Sequence, residues 1–191
     1  HLRSCGLSTS SESAPSSNSD ATTSEFLDEK LVLVRFELEA QGISVSENPY
    51  DRDRHGRGES FHPCSPPGLV VYATCQEDVQ VTVRQCVLHR IPLIPFGGGT
   101  SLEGHVAAPQ PQSISLDLTG MNEILHLPTQ SDDDDMPPDP YVIVQAGVTR
   151  QQLEAALRPT GWQFVVDPGA ATATLGGMHA TGAAGTTTIR Y

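Results

Sequence analysis

The chain has 191 residues, enough for about one domain. Eleven basic and 23 acidic residues give a formal net charge of −12, and Lys30 is the only lysine in the sequence. Binding of nucleic acid depends on clustered Lys and Arg, so we expect no nucleic-acid partner. No apolar run approaches the ~20 residues that cross a bilayer, so we expect no membrane span.

Three segments are predicted along the chain. Residues 1–24 are mostly Ser, Thr and Ala, which predicts a disordered tail or the remnant of a mitochondrial transit peptide. Residues 25–64 are predicted to hold an N-terminal helix, capped by Ser24 and running to about Gln41, followed by an extended polar segment. Residues 65–191 are predicted to form the main domain.

Short apolar strands alternate with helices from residue 69 onward, which indicates an α/β or α+β domain. Two helices are predicted, and each opens with a capping box, Thr74 with Glu77 and Thr149 with Gln152. Residues 128–140 carry four adjacent aspartates without the spacing of a calcium loop, so a solvated insertion is expected. The predicted strands are Leu69–Tyr72, Ile91–Phe96, Ser113–Leu118, Tyr141–Ala146 and Phe164–Val166.

Three consecutive glycines, Gly97 to Gly99, follow the second predicted strand directly. Glycines can adopt positive φ and let a ligand approach the backbone, and successive N–H groups in such a turn bind anions. Thr100 and Ser101 add hydroxyl groups, whereas the loop contains no Lys or Arg and lacks the spacing of a P-loop or a Rossmann motif. The loop is therefore either a cradle of neutral donors for a diphosphate or a tight turn between two strands.

A second stretch of small residues runs from residue 167 to residue 185 and is dominated by Gly, Ala and Thr. A flat ligand could lie against such a surface, with Thr174 and backbone amides bonding its polar edge. Close packing of a helix against another backbone would use small residues equally well.

Several motifs together resemble the FAD-binding domain of the vanillyl-alcohol oxidase / p-cresol methylhydroxylase superfamily, and within it the FAD-dependent D-lactate dehydrogenases (cytochrome) of mitochondria. The resemblance spans roughly residues 50–191. It implies an α+β fold, a p-cresol methylhydroxylase-type FAD-binding domain that is incomplete here, with a small βαβ-style first subdomain plus the start of the second. The motifs are His55 to Ser60, Pro95 to Gly104, Met121 to Leu125, Asp167 to Ala170, and Gly176 to Gly185 with Arg190 and Tyr191.

The resemblance also implies which residues bind the cofactor. The glycine loop would contact the FAD pyrophosphate, and the second stretch would lie along the flavin and its ribityl chain. One departure is Ala184, which stands where these dehydrogenases usually have Ser. The cofactor-binding residues implied are Phe96, Gly97, Gly98, Gly99, Thr100, Ser101, Leu102, Gly104, Pro168, Gly169, Thr174, Gly176, Gly177 and Gly182.

The activity implied by the resemblance is oxidation of a D-2-hydroxy acid, D-lactate to pyruvate, by hydride transfer to flavin, with electrons passing to an acceptor such as cytochrome c. Glycolate or D-2-hydroxyglutarate dehydrogenase of the same superfamily, or a truncated non-catalytic FAD-binding or interaction module, are the alternatives. The sequence stops at Tyr191, where the family continues, so we expect this fragment alone to be inactive and assign no catalytic residue.

No metal site is predicted in this chain, and a divalent metal is expected only in the family's C-terminal domain. His55, His62 and Cys64 cluster in the sequence but lack a fourth ligand at suitable spacing. The berberine-bridge type of relative attaches FAD through a His directly after the glycines. Because Thr100 occupies that place here, non-covalent FAD is expected.

Overall fold

A computed structural model describes residues 18–128 and 140–190, with side chains from residue 28 onward. Most of the predicted N-terminal tail and nearly all of the predicted insertion at 128–140 therefore lie outside the described residues. The described chain forms two layers of helix and sheet around one large apolar cluster, and a smaller cluster follows it along the chain.

A four-stranded sheet forms the first part of the domain, in the order β1-β2-β4-β3. Strands β2, β3 and β4 run parallel, and β1 pairs antiparallel with β2 at the edge. Nearly continuous apolar runs suit strands covered on both faces, and β2 and β4 are buried almost throughout. The strands are β1 (Ser44–Ser46), β2 (Leu69–Tyr72), β3 (Leu93–Phe96) and β4 (Ile114–Asp117).

Three helices accompany this sheet, α1 (Asn18–Ala40), α2 (Pro49–His55) and α3 (Gln76–His89). Helices α1 and α3 pack against each other, and their apolar sides close the first cluster. The fully buried members include Val34 and Leu38 of α1, which are four residues apart and so lie on one face of the helix.

Residues 18–64 contain more helix and strand than the sequence predicts. Helix α1 already covers residues 18–24, which we expected to belong to a disordered tail. The segment expected to be extended contains β1 and α2. Helix α2 begins where Asn48 accepts a hydrogen bond from the Tyr50 amide at 2.9 Å, and Pro49 suits the first helical position.

Helix α3 starts one residue later than the predicted capping box. Cys75 is the N-cap, and the carboxylate that closes the first turn belongs to Asp78 instead of Glu77. Asp78 accepts hydrogen bonds from the Thr74 amide, the Thr74 hydroxyl and the Cys75 amide. Burial raises the pKa of Asp78, but these hydrogen bonds outweigh it and the pKa lies below its usual value.

The second part of the domain is a two-stranded antiparallel sheet, β5 (Ile124–His126) with β6 (Ile143–Val144), packed near α4 (Arg150–Leu157). Helix α4 confirms the second predicted capping box, since the Gln152 side chain accepts from the Thr149 amide at 2.8 Å. Strand β5 was not predicted. The predicted strand at residues 164–166 is wrong, because this segment has no strand partner among the described residues.

Candidate functional site

The two glycine-rich stretches meet in space. Gly97 and Gly98 follow β3 and lie against residues 172–174 of the second stretch. A methyl group on Gly97 would overlap the Thr174 side chain, and one on Gly98 would lie 2.6 Å from the Thr172 carbonyl oxygen. The absence of side chains therefore permits the close approach of the two backbones.

The main-chain N–H groups of residues 97–100 donate to no acceptor in the described part of the chain. Gly99, in the middle of this run, has φ +68°, in the region that favours glycine. Gly98 is exposed and the other three residues are half-buried, so their N–H groups are accessible to water or to a ligand. What distinguishes this run of donors is its place, at the end of β3 and against the second glycine-rich stretch.

Phe96, the last residue of β3, supports the loop from beneath. Its side chain is buried, and its carbonyl accepts a hydrogen bond from the Leu118 amide at 3.0 Å. A methyl group on Gly99 would lie 3.1 Å from the edge of the Phe96 ring. The ring is therefore placed to support the backbone of the loop.

The remaining loop residues are held by internal contacts. The Ser101 hydroxyl lies 2.7 Å from Nδ1 of His105 and accepts a hydrogen bond from the Glu103 amide. Gly104 has φ +71° and packs against the His62 ring. Leu102 is 63% exposed, so it contributes little to the core of the described chain.

The second stretch is anchored to the start of α4. The Arg150 amide donates to the Ala173 carbonyl at 2.9 Å, and the Gln151 amide donates to the Ala171 carbonyl at 3.2 Å. Thr174 is buried and is the N-cap of α5 (Leu175–Thr181), where its hydroxyl accepts from the Gly177 amide. These contacts fix the backbone that faces Gly97 and Gly98.

The other small residues predicted to follow the flavin have packing reasons of their own. A methyl group on Gly176 would lie 2.7 Å from the Ala146 side chain. Gly182 has φ +61° and ends α5, and Gly169 has φ +82° in the exposed turn after Pro168. The structure therefore brings Thr174 to the glycine loop, while the Gly177 amide donates to the Thr174 hydroxyl and helix packing and turns account for the other glycines.

A buried His–Asp pair lies just below Phe96 and was not predicted as part of the site. His55, at the end of α2, and Asp117, at the end of β4, are joined by a 2.8 Å contact between Nε2 and Oδ2. Burial raises the pKa of Asp117, but the hydrogen bonds from His55 and Thr119 outweigh it, so its pKa lies below the usual value. The sequence signals for the pair are an acidic residue near the end of a predicted apolar strand and the motif that begins at His55.

We expect Asp117 to contribute an acid-dependent part of the stability. Because its pKa is lower in the folded chain than in the unfolded chain, the contribution is present above 3.8, its usual value, and is lost as the pH falls through the folded pKa. Urea unfolding at a series of pH values measures this. In Asp117→Asn, the free energy of unfolding should fall less steeply on the acid side than in wild type. Glu37→Gln, which removes an exposed carboxyl, is the control. Parallel curves for wild type and Asp117→Asn would contradict the prediction.

Two kinds of site are not found in the structure. Within residues 28–128 and 140–190, no three His, Cys, Asp or Glu side chains converge as metal ligands would. None of the helices in the described ranges combines the length and apolar character that crossing a bilayer requires.

Residues 67–191 match the FAD binding domain family. The chain belongs to this family. The match takes in both glycine-rich stretches and the three parallel strands, but begins after α2 and therefore after His55.

Curated relatives of this FAD-binding domain are D-lactate dehydrogenases. The chain is 42% identical over 151 residues to a probable mitochondrial D-lactate dehydrogenase of Danio rerio, covering 79% of this chain and 28% of that protein. It is 33% identical over 143 residues to the mitochondrial D-lactate dehydrogenase [cytochrome] of Arabidopsis thaliana, covering 74% of this chain and 24% of that protein. The chain thus spans about a quarter of the length of these relatives.

Solved structures confirm the fold of this FAD-binding domain. An alkyldihydroxyacetonephosphate synthase aligns with TM-score 0.65 and 24% identity over 77% of this chain and 28% of its own. A p-cresol methylhydroxylase aligns with TM-score 0.54 and 24% identity over 71% of this chain and 25% of its own. The predicted α+β fold of the p-cresol methylhydroxylase type is confirmed.

The residues present suit the diphosphate of FAD. Four consecutive amides without an acceptor among the described residues, and a glycine with positive φ, are features of a backbone anion cradle. Gly97 and Gly98 pack so closely against residues 172–174 that neither could carry a methyl group. The loop has no cation of its own, so the donors would be neutral amides and the hydroxyl of Thr100.

Proposed function

We propose that this chain is the FAD-binding part of a mitochondrial oxidoreductase that oxidises a D-2-hydroxy acid, D-lactate to pyruvate, and passes electrons to cytochrome c or a similar acceptor. The observation that carries the cofactor assignment is the run of unpaired amides at residues 97–100, pressed against the second glycine-rich stretch. The substrate, acceptor and compartment are supported by the names of the relatives, among them D-lactate dehydrogenases of animal and plant mitochondria.

The chain's own share of this activity is to bind and orient the cofactor. The amides of residues 97–100 would hold the diphosphate, and Phe96 would keep their backbone in place from below. Residues 171–174, fixed by α4, would form the facing wall. When bound, FAD supplies a two-electron acceptor for the hydride of the hydroxy acid.

Thr100 supports non-covalent attachment. Its hydroxyl is a poor nucleophile without an adjacent base, and it follows the glycines where a covalent link would need a reactive side chain. We therefore propose that FAD is held by hydrogen bonds and packing alone.

Titration of the purified chain with FAD, followed by flavin fluorescence, tests the cofactor assignment. We expect saturable binding, and intact flavin released into solution on heating because no covalent bond holds it. Riboflavin, which lacks the diphosphate, is the matched control and should bind at least tenfold more weakly. Equal affinity for the two ligands would contradict a diphosphate cradle, and flavin that stays with the denatured protein would contradict non-covalent attachment.

D-lactate should leave the visible flavin absorbance of the 191-residue chain unchanged, because the chain spans only about a quarter of its relatives.

A further inference from the structure

A buried pair of titratable side chains, His55 and Asp117, lies directly behind the glycine loop. We propose that it is a positioning pair, which holds Phe96 and through it sets the backbone of residues 97–100 for the diphosphate. This inference rests on the proposed function, because it assigns the pair to the FAD site. It concerns a residue of α2, ahead of the segment that matches the FAD binding domain family.

Both ring nitrogens of His55 are committed to hydrogen bonds. The side chain is fully buried, with Nδ1 2.7 Å from the Asp51 carbonyl oxygen and Nε2 2.8 Å from Oδ2 of Asp117. Hydrogen bonds at both nitrogens leave the ring a single orientation. That ring lies against Phe96, with 4.3 Å between the ring centroids.

Asp117 connects the pair to the sheet at the edge where the loop begins. It is the register partner of Phe96, so both residues end adjacent parallel strands. Its other oxygen, Oδ1, accepts from the Thr119 amide at 2.7 Å and the Thr119 hydroxyl at 2.6 Å. The carboxyl ends of parallel strands are where open sheets of this kind bind ligands.

The path from the pair to the loop is short and continuous. His55 packs on Phe96, and the edge of the Phe96 ring limits the space at Gly99, whose φ is +68°. A tilt of the His55 ring would let Phe96 move, and the amides on either side of Gly99 would move with it. Buried ion pairs contribute little net stability compared with apolar residues of similar volume, whereas they can fix one geometry. The role of the pair is therefore to hold the Phe96 ring in place below the loop.

The test compares two ways of removing the Asp117 carboxylate, one that keeps the hydrogen bonds of the pair and one that removes them. Asp117→Asn keeps the hydrogen bonds, because its amide can donate to Nε2 of His55 while its oxygen accepts from Thr119. The double variant His55→Phe with Asp117→Leu removes the carboxylate, the imidazole and all of these hydrogen bonds, and leaves an aromatic ring beside Phe96. We expect the FAD dissociation constant of Asp117→Asn to stay within about threefold of wild type and that of the double variant to rise at least tenfold (~1.4 kcal/mol).

Controls separate positioning from stability. Thr82→Val removes another buried hydrogen bond, from the Thr82 hydroxyl to the Asp78 carbonyl in α3, and should lower the melting temperature without changing FAD affinity. His55→Gln, which cannot bond both neighbours at once, serves if the double variant does not fold, and should also weaken binding at least threefold. Folded variants that bind FAD like wild type would overturn the positioning role alone. A wild-type chain with no affinity for FAD would overturn the proposed function together with it.

Discussion

Gly98→Ala is expected to weaken FAD binding roughly 100-fold, or about 3 kcal/mol. The added methyl group would lie 2.6 Å from the Thr172 carbonyl oxygen and 3.5 Å from the Ala173 Cα. Both neighbours are backbone atoms, and residues 171–173 are hydrogen bonded to the start of α4, so they cannot rotate away as a side chain would. The loop must shift instead, and its unpaired amides move with it. Fluorescence titration with FAD measures the loss.

The same reasoning makes Gly98 a sharper probe than Gly97. A methyl group on Gly97 meets the hydroxyl of Thr174, which is buried and can turn away only by losing its N-cap hydrogen bond from the Gly177 amide. We expect Gly97→Ala to weaken FAD binding as well, but together with a loss of stability in α5, so that its effect on affinity is harder to interpret.

Gly42→Ala is the matched control for this prediction. Gly42 has φ +79° in the turn between α1 and β1, with nothing within 4 Å of an added methyl group, so the variant introduces backbone strain without a steric clash. It should lower stability by about 1 kcal/mol and leave FAD affinity unchanged. If Gly98→Ala binds FAD like Gly42→Ala, the backbone cradle is not where the diphosphate lies.

The contact between the glycine loop and residues 172–174 could be expected from the sequence. Both stretches consist mostly of small residues, which permit close approach of two backbones or of a backbone and a ligand. What the residue types left open was which glycines face a ligand. Gly176 and Gly182 show why. Like Gly98, both lie in a glycine-rich stretch, but Gly176 packs against Ala146 and Gly182 ends a helix in the left-handed region.

The sequence pattern predicted a helix start correctly where only one residue could close the capping box. The capping box at Thr149 was predicted to the residue, whereas at α3 two acidic residues stand side by side and the structure uses Asp78. The strand predicted at residues 164–166 is wrong, since an apolar run becomes a strand only if another strand pairs with it.

The contact between His55 and Asp117 could not be predicted from local pattern. His55 and Asp117 are 62 positions apart, and only the folded sheet shows that the end of α2 reaches the end of β4. The same applies to β1, a three-residue polar strand whose place is defined by its antiparallel pairing with β2.

Leu153→Ala is expected to cost about 2–5 kcal/mol of stability, the usual range for a fully buried Leu, and also to weaken FAD binding. Leu153 lies in α4 and packs in the smaller apolar cluster with Val148 and Leu157. The first turn of α4 donates two hydrogen bonds to residues 171 and 173, which flank the Thr172 carbonyl that faces Gly98. A cavity under α4 therefore loosens one wall of the cofactor site.

Leu38→Ala, in the larger cluster under α1, separates this effect from loss of stability. It removes the same atoms from an equally buried position, so its cost in the free energy of unfolding should be similar, but it lies in the larger cluster, which includes none of residues 171–174. FAD titrations of both variants at low temperature, corrected for the unfolded fraction from urea curves, give the affinity of the folded molecules. We expect the FAD affinity to fall about tenfold in Leu153→Ala and to stay unchanged in Leu38→Ala. Equal affinities would mean that the wall formed by residues 171–174 is held independently of α4, and that the glycine loop alone determines cofactor binding.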